Sequence, residues 1–261
     1  MILPLVLLVS CQKQLIDSES AANVPVVKSY INCGANSIKV EILKITPYSA
    51  DEASDTQAIT GLNVYINDQL LSETSPGVYK FDLAGNTVKA GDIYNLKFDF
   101  YNKTISANTI IPKKAENFAI SDSAIEMERI DSGSMGPGPD SYDPVELTWD
   151  NPNEDYHFLA IKYMEGSEDY IDMNMKGREF PKMRNTAPNT DNAFNITSRD
   201  IEFFGTYRII LFTVNKEYAE LYENVSTSSN NLTNPVSNIE NGWGIFTGIN
   251  SDTLFLEVKE E

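Results

Sequence analysis

"VPVVKSYI", residues 24–31, and "SIKVEILKI", residues 37–45, decide the fold class of this chain. Both are runs of β-branched and apolar residues, and in the second Ile38, Val40 and Ile42 alternate with polar neighbours. A period of two places one set of side chains on one face of an extended chain, so both runs are predicted as half-buried strands. The rhythm recurs in "ITGLNVYIND" (59–68), "GVYKFDL" (77–83), "GDIYNLKFDF" (91–100) and "KTISANTIIP" (103–112), divided by Gly, Asn, Asp and Pro turn signals. "TPYSADEASDTQ" (46–57) is a polar loop between two of them. Residues 24–115 are therefore predicted to form an N-terminal antiparallel β-sandwich.

A second module is expected from 116 to 261. Its strands are "PVELTWDNP" (144–152), "YHFLAIKYM" (156–164) and "TYRIILFTVN" (206–215). "KEYAELYENV" (216–225) breaks the β rhythm. Tyr218, Leu221, Tyr222 and Val225 fall at helical spacing, with Asn215 as a cap, so one short helix is predicted to pack on the sandwich. The tail places Gly242, Gly244 and Gly248 around Trp243 and Phe246, read as a glycine-rich turn before a final strand. It has no Gly-Lys-Ser/Thr and no following helix, so it is not a phosphate cradle.

Gly61-Leu62-Asn63-Val64, Gly77-Val78-Tyr79-Lys80-Phe81 and Gly91-Asp92-Ile93-Tyr94-Asn95-Leu96 resemble the rhythm of transthyretin-like or carboxypeptidase-regulatory-like modules. Tyr79 and Tyr94 are expected in the core. The second module resembles a fibronectin type III-like sandwich, with Trp149 in place of its core tryptophan.

The start of the chain has a different logic. "ILPLVLLV" (2–9) is an apolar run of eight, about 12 Å as a helix, too short for a bilayer of about 30 Å. It ends in Leu8, Val9, Ser10 and Cys11, which resemble a bacterial lipobox, so residues 1–10 are expected to be a lipoprotein signal peptide and Cys11 the acylated anchor. Residues 11–23 would be a polar tether. No Lys or Arg precedes the apolar run, so the true start is expected upstream. An N-terminal strand with a buried Cys11 is the alternative.

The net charge of −18 is uneven. Residues 12–115 sum to −1, and residues 116–261, with 27 acidic groups and 10 basic ones, to −17. Such a field argues against nucleic acid or an anionic lipid surface as partner. It suits a solvated surface, with cation or basic-partner binding as the alternative.

Chemistry is sparse in the sequence. The single histidine, His157, lies in a strand pattern without a Gly-x-Ser-x-Gly elbow, so it is read as a strand residue and no catalytic residue is assigned. With Cys11 acylated, Cys33 is left as an odd thiol at a core edge, and one His with one Cys makes no zinc site. Asp131, Asp140 and Asp143, in the Gly/Pro-rich loop "DSGSMGPGPDSYD" (131–143), are weak calcium candidates without EF-hand spacing. Tyr142 and Tyr170 are candidates for glycan contact. No cofactor is expected.

The lipobox, "VVKSYI", "TIIP", "LTWDNP", "YAELYENV" and above all "NPVSNIENGWGIFTG" (234–248) together resemble a Bacteroidota outer-membrane lipoprotein family with domain of unknown function four-two-four-nine. The resemblance spans nearly the whole chain after Cys11. It implies an outer-membrane location, facing the periplasm or the cell surface, and neighbouring TonB-dependent receptors. The phylum's O-glycosylation triplet is matched at Asp122-Ser123-Ala124 and Asp252-Thr253-Leu254, pointing to Ser123 and Thr253. The expected function is thus a non-enzymatic, lipid-anchored binding or accessory protein of nutrient uptake, handling a small molecule, peptide or glycan. A structural or adhesive surface protein is the alternative, and a glycan-active hydrolase using paired carboxylates the third.

Overall fold

Alternating burial along the strands builds this fold, and the computed structural model describes it for residues 24–44, 57–135, 142–227 and 236–261. The first strands are β1 (Pro25–Asn32), β2 (Ser37–Lys44), β3 (Gln57–Ala58), β4 (Tyr65–Ile66), β5 (Gln69–Leu70), β6 (Ser72–Ser75), β7 (Val78–Asp82), β8 (Ile93–Phe100) and β9 (Lys103–Ile110). They are followed by β10 (Glu116–Ile120), β11 (Ala124–Met127), β12 (Val145–Asp150), β13 (Tyr156–Tyr163), β14 (Met183–Asn185), β15 (Ala193–Ile196) and β16 (Gly205–Val214). A helix, α1 (Lys216–Thr227), precedes the last strand, β17 (Trp243–Glu260).

A large sheet runs β14-β13-β16-β17-β1-β2-β7-β6, with β11 added to β17 and β3 to β2. One end of it packs on the sheet β5-β4-β8-β9, the other on β10-β12-β15. In the first core Val27, Ile38, Val40 and Tyr79 meet Ile66, Leu96, Phe98 and Ile105. In the second, Leu159, Ile209, Leu211 and Leu256 meet Val145, Leu147, Trp149 and Ile196. The protein is mainly β, two sandwiches built on one continuous sheet.

The continuity is the work of β17. Its residues Trp243 to Ile249 pair in parallel with Val26 to Asn32 of β1, and Ile249 to Val258 pair antiparallel with β16. Its last residues, Glu257 to Glu260, also carry β11 in parallel. Phe246 is buried in the first core, whereas Leu256 and Val258 are buried in the second. Assigning all of 116–261 to the second sandwich therefore needs correction: Ile239 and the first half of β17 belong to the first.

The glycines also correct the expected turn, because Gly244 and Gly248 lie inside β17. A Cβ on Gly244, at φ +102°, would stand 2.0 Å from the Val27 carbonyl oxygen, and one on Gly248 2.6 Å from that of Ile110. Side chains are excluded where β17 is squeezed between β1 and β9. The preceding residues clasp the strand. The Asn238 amide donates to the Phe246 carbonyl (2.7 Å) and accepts from the Phe246 N–H (3.0 Å), acting as a neighbouring strand would. Asn241 donates to the Thr104 carbonyl at 2.9 Å, and Glu240 exchanges backbone hydrogen bonds with Ser106.

Two other expectations change. The strand predicted over 59–68 shrinks to β4, because Gly61 sits at φ +71° and its N–H turns to the Glu73 carboxylate (2.8 Å). The buried Tyr79 hydroxyl holds this detour, donating to the Ile59 carbonyl (2.8 Å) and accepting from the Leu62 N–H (3.2 Å). Helix α1 packs through Tyr218, stacked 5.5 Å from Phe158 and edge-on to Tyr30, and through buried Ala219. Tyr222, placed on the packing stripe by its spacing, is exposed. Asn215, expected as the cap, stands directly before the helix, its carbonyl accepting from the Tyr218 N–H (3.0 Å) and its amide nitrogen donating to Thr109 Oγ1 and the Ile110 carbonyl, while Thr247 Oγ1 donates to Glu217.

Gly244→Ala is expected to cost about 3 kcal/mol or more, since backbone strain and a clash act together. Gly85→Ala, also at positive φ but in open space, is expected to lose only about 1 kcal/mol. Urea unfolding of both variants measures the difference; equal losses would show that close packing at β17 is not the constraint.

Candidate functional site

The second sandwich carries a groove whose walls follow from how its edges are tied. Strand β11 ends at Met127 beside the end of β17, and the chain then crosses to the segment after β13. There Ile130 donates its N–H to the Ile171 carbonyl (2.9 Å) and accepts from the Met173 N–H (2.9 Å). Arg129 fixes the crossing. Its guanidinium is bidentate to Glu260 (2.8 and 2.7 Å), reaches Asp169 at 2.8 Å and the Tyr170 carbonyl at 2.8 Å, and lies 4.6 Å over the Phe204 ring. These hydrogen bonds raise the arginine's pKa and, reciprocally, lower that of Glu260.

Opposite this crossing, β14 supplies Arg184. It pairs with Glu202 and donates to the Arg199 carbonyl at 2.9 Å. Arg199 stands on a 3-10 turn, Ser198–Asp200, held by Asp200 accepting from both the N–H and the hydroxyl of Thr197 at 2.9 Å. Between the two sides lies a cavity of about 500 Å³, walled by Met127, Ile130, Ile171, Met175, Phe180 and Ile201. Tyr142 closes part of the rim, its hydroxyl accepting from the Glu128 N–H at 3.0 Å. The lining combines apolar walls and adaptable methionines with charged groups on both sides, Glu128 and Asp172 by the crossing and Arg184, Arg199 and Glu202 opposite, a mixture that suits a small molecule.

The residues singled out from sequence fall in several places. Tyr142 is in the groove. Tyr170 is buried, its ring 5.1 Å from that of Phe203 and its hydroxyl donating to Glu168 (2.7 Å), so it presents no face to a glycan. Asp131 and Asp143 are exposed, Asp140 lies outside the described residues, and among those described no group of three or more His, Cys, Asp or Glu is placed to hold a metal. Asn174 instead ties the loop, accepting from Gly133 N–H (2.7 Å) and donating to the Ser134 carbonyl (3.1 Å). Ser123 is exposed before β11. Thr253 is exposed too, but within β17, and its Asp252 is ion-paired with Lys114 at 2.7 Å, which lowers the carboxyl's pKa.

Cys33 is a half-buried free thiol against the first core, its Sγ 3.7 Å from the Val88 carbonyl. Tyr79 and Tyr94 are buried in that core; burial and then Asp92 push the Tyr94 phenol up to about 12. Leu8, Val9, Ser10, Cys11 and the tether 11–23 lie outside the described residues. Sequence reasoning missed Arg129, Arg184, Arg199 and Glu202. One signal was available: all arginines of the chain occur in its acidic half, and three of them build this region.

A family model described as domain of unknown function (DUF4249) matches residues 13–254, and the chain belongs to that family. No curated protein matches it.

His157 is buried in β13 with its Nδ1 unpartnered, 5.9 Å from the Trp149 ring and opposite Thr213. Burial lowers its pKa from the ordinary 6.5, against a weaker opposing pull from Asp155. The unfolded chain then takes up the proton first, so the stability held above pH 6.5 falls as pH drops below it. His157→Phe is expected to flatten the stability profile between pH 7.5 and 5, a window above the carboxylates with lowered pKa. Urea midpoints across that window check it; an unchanged slope in the variant would assign the effect elsewhere.

Proposed function

We propose that this member of the family is a non-enzymatic, lipid-anchored binding or accessory protein of a Bacteroidota outer membrane. In this reading Cys11 carries the acyl chains, residues 11–23 form the tether, and the folded part works beside a TonB-dependent receptor in nutrient uptake. The observation that carries the binding role is the groove of about 500 Å³ with apolar walls and two arginines on one side. The anchor rests on the apolar run 2–9 that stops at Cys11 and on the polar segment behind it. Acylation at about 0.8 kcal/mol per buried methylene holds a protein on a membrane when more than one chain is attached.

The fibronectin-like reading of the second sandwich has its own support: three strands, β10-β12-β15, face four, β14-β13-β16-β17. Ser123, exposed just ahead of β11, is the better of the two O-glycosylation candidates.

Expression in a Bacteroidota host with labelled fatty acid tests the anchor. The chain is expected to take up label and sediment with the outer membrane, and Cys11→Ala to lose both. Affinity purification from gently solubilised membranes is expected to recover a TonB-dependent receptor with the anchored form. Recovery of the bait alone would count for an independent structural or adhesive role.

A further inference from the structure

Resting on that groove as the ligand site, we propose that its ligand is a small amphiphile with an apolar body and one carboxylate, received by Arg199 with Arg184 beside it. The cavity volume suits a small molecule rather than a folded partner. Its walls set the apolar body: Met127, Ile171 and Ile201 are almost wholly buried, and Met175 and Phe180 are half-buried beside them.

The arginine side of the groove is set against the field around it. The second half of the chain has 27 acidic groups against 10 basic ones, so a guanidinium there would be expected to find a carboxylate. Arg129 and Arg184 do, whereas Arg178, Arg199 and Arg208 pair with no carboxylate among the described residues; of these three, Arg199 is the one in the lining of the groove. Arg199 lines the groove, exposed, and its guanidinium makes no hydrogen bond or ion pair among the described residues. The groove's carboxylates are mostly engaged. Glu202 is paired with Arg184, and one Asp172 oxygen accepts from the N–H and side-chain amide of Asn174 at 2.8 Å each. Glu128 points to solvent at the rim. A planar fork of donors at the mouth of an apolar slot matches a carboxylate bidentately. Long alkyl carboxylates have that form.

The test is calorimetric titration of the purified chain with dodecanoate and with dodecanol, which share the apolar body and differ in the head. Dodecanoate is expected to bind at least tenfold more tightly, Arg199→Gln to abolish that preference while leaving dodecanol binding unchanged, and Met175→Trp, which fills the slot, to weaken both. Equal affinities in the parent chain, unaltered by Arg199→Gln, would overturn the carboxylate while sparing the groove as an apolar site. Dodecanoate binding unaffected by Met175→Trp would place the ligand elsewhere and overturn the proposal. Binding of neither compound would overturn it together with the groove's role as the ligand site.

Discussion

The parallel pairing of β1 with the first half of β17 is the contact on which the rest of the structure depends. More than 200 residues separate the two strands, so no turn brings them together and their pairing must be made by the folded body. It is possible only because Gly244 lets the Val27 carbonyl approach to where a side chain would stand. The clasp from Ser237 to Asn241 closes the other side, with Asn238 taking the hydrogen bonds that a further strand would have made. One strand thereby supplies Phe246 to one core and Leu256 to the other.

The groove inherits its shape from the same strand. Glu260, at the end of β17, receives the Arg129 fork, and β11 lies along Glu257 to Glu260. Arg129 then links this end to Asp169 and Tyr170, the segment that supplies Ile171 and Met175 to the cavity wall. A charge pair exposed on a surface contributes little, but a half-buried bidentate guanidinium that joins three chain segments and covers an aromatic ring limits how the wall can move. The groove is in this sense placed by packing in the sheet rather than by the loops around it.

Much of the β architecture was legible because alternation is a local signal. The runs at 24–31, 37–45, 91–100 and 156–164 each became a strand within a residue or two of their expected ends. The helix was legible at its start from the spacing of Tyr218 and Leu221, yet which aromatic it buried was decided by Phe158 and Tyr30 on the sheet below. Tertiary contacts decided what the local pattern could not. The glycines of "NGWGIFTG" resembled a turn because the reason for them, a backbone pressed against β1 and β9, lies far away in sequence. The groove was illegible for the same reason: Arg129, Arg184 and Arg199 come from three segments, and their convergence has no spacing to detect. Tyr142, an aromatic in a loop, does line the groove, whereas Tyr170, for which the sequence offers the same argument, is a core residue.

If β17 binds the two sandwiches into one body, they unfold together. The two tryptophans report on this directly, since Trp149 lies in the second core and Trp243 begins β17 opposite Val26 of β1, a strand of the first sandwich. Urea unfolding followed by fluorescence in the single-tryptophan variants Trp149→Phe and Trp243→Phe, with circular dichroism as a common reference, separates the reporters. The account predicts that in each variant the fluorescence transition coincides with the loss of strand signal. A fluorescence midpoint displaced from the circular dichroism midpoint, or a second circular dichroism step, would show two independently folding sandwiches and contradict it.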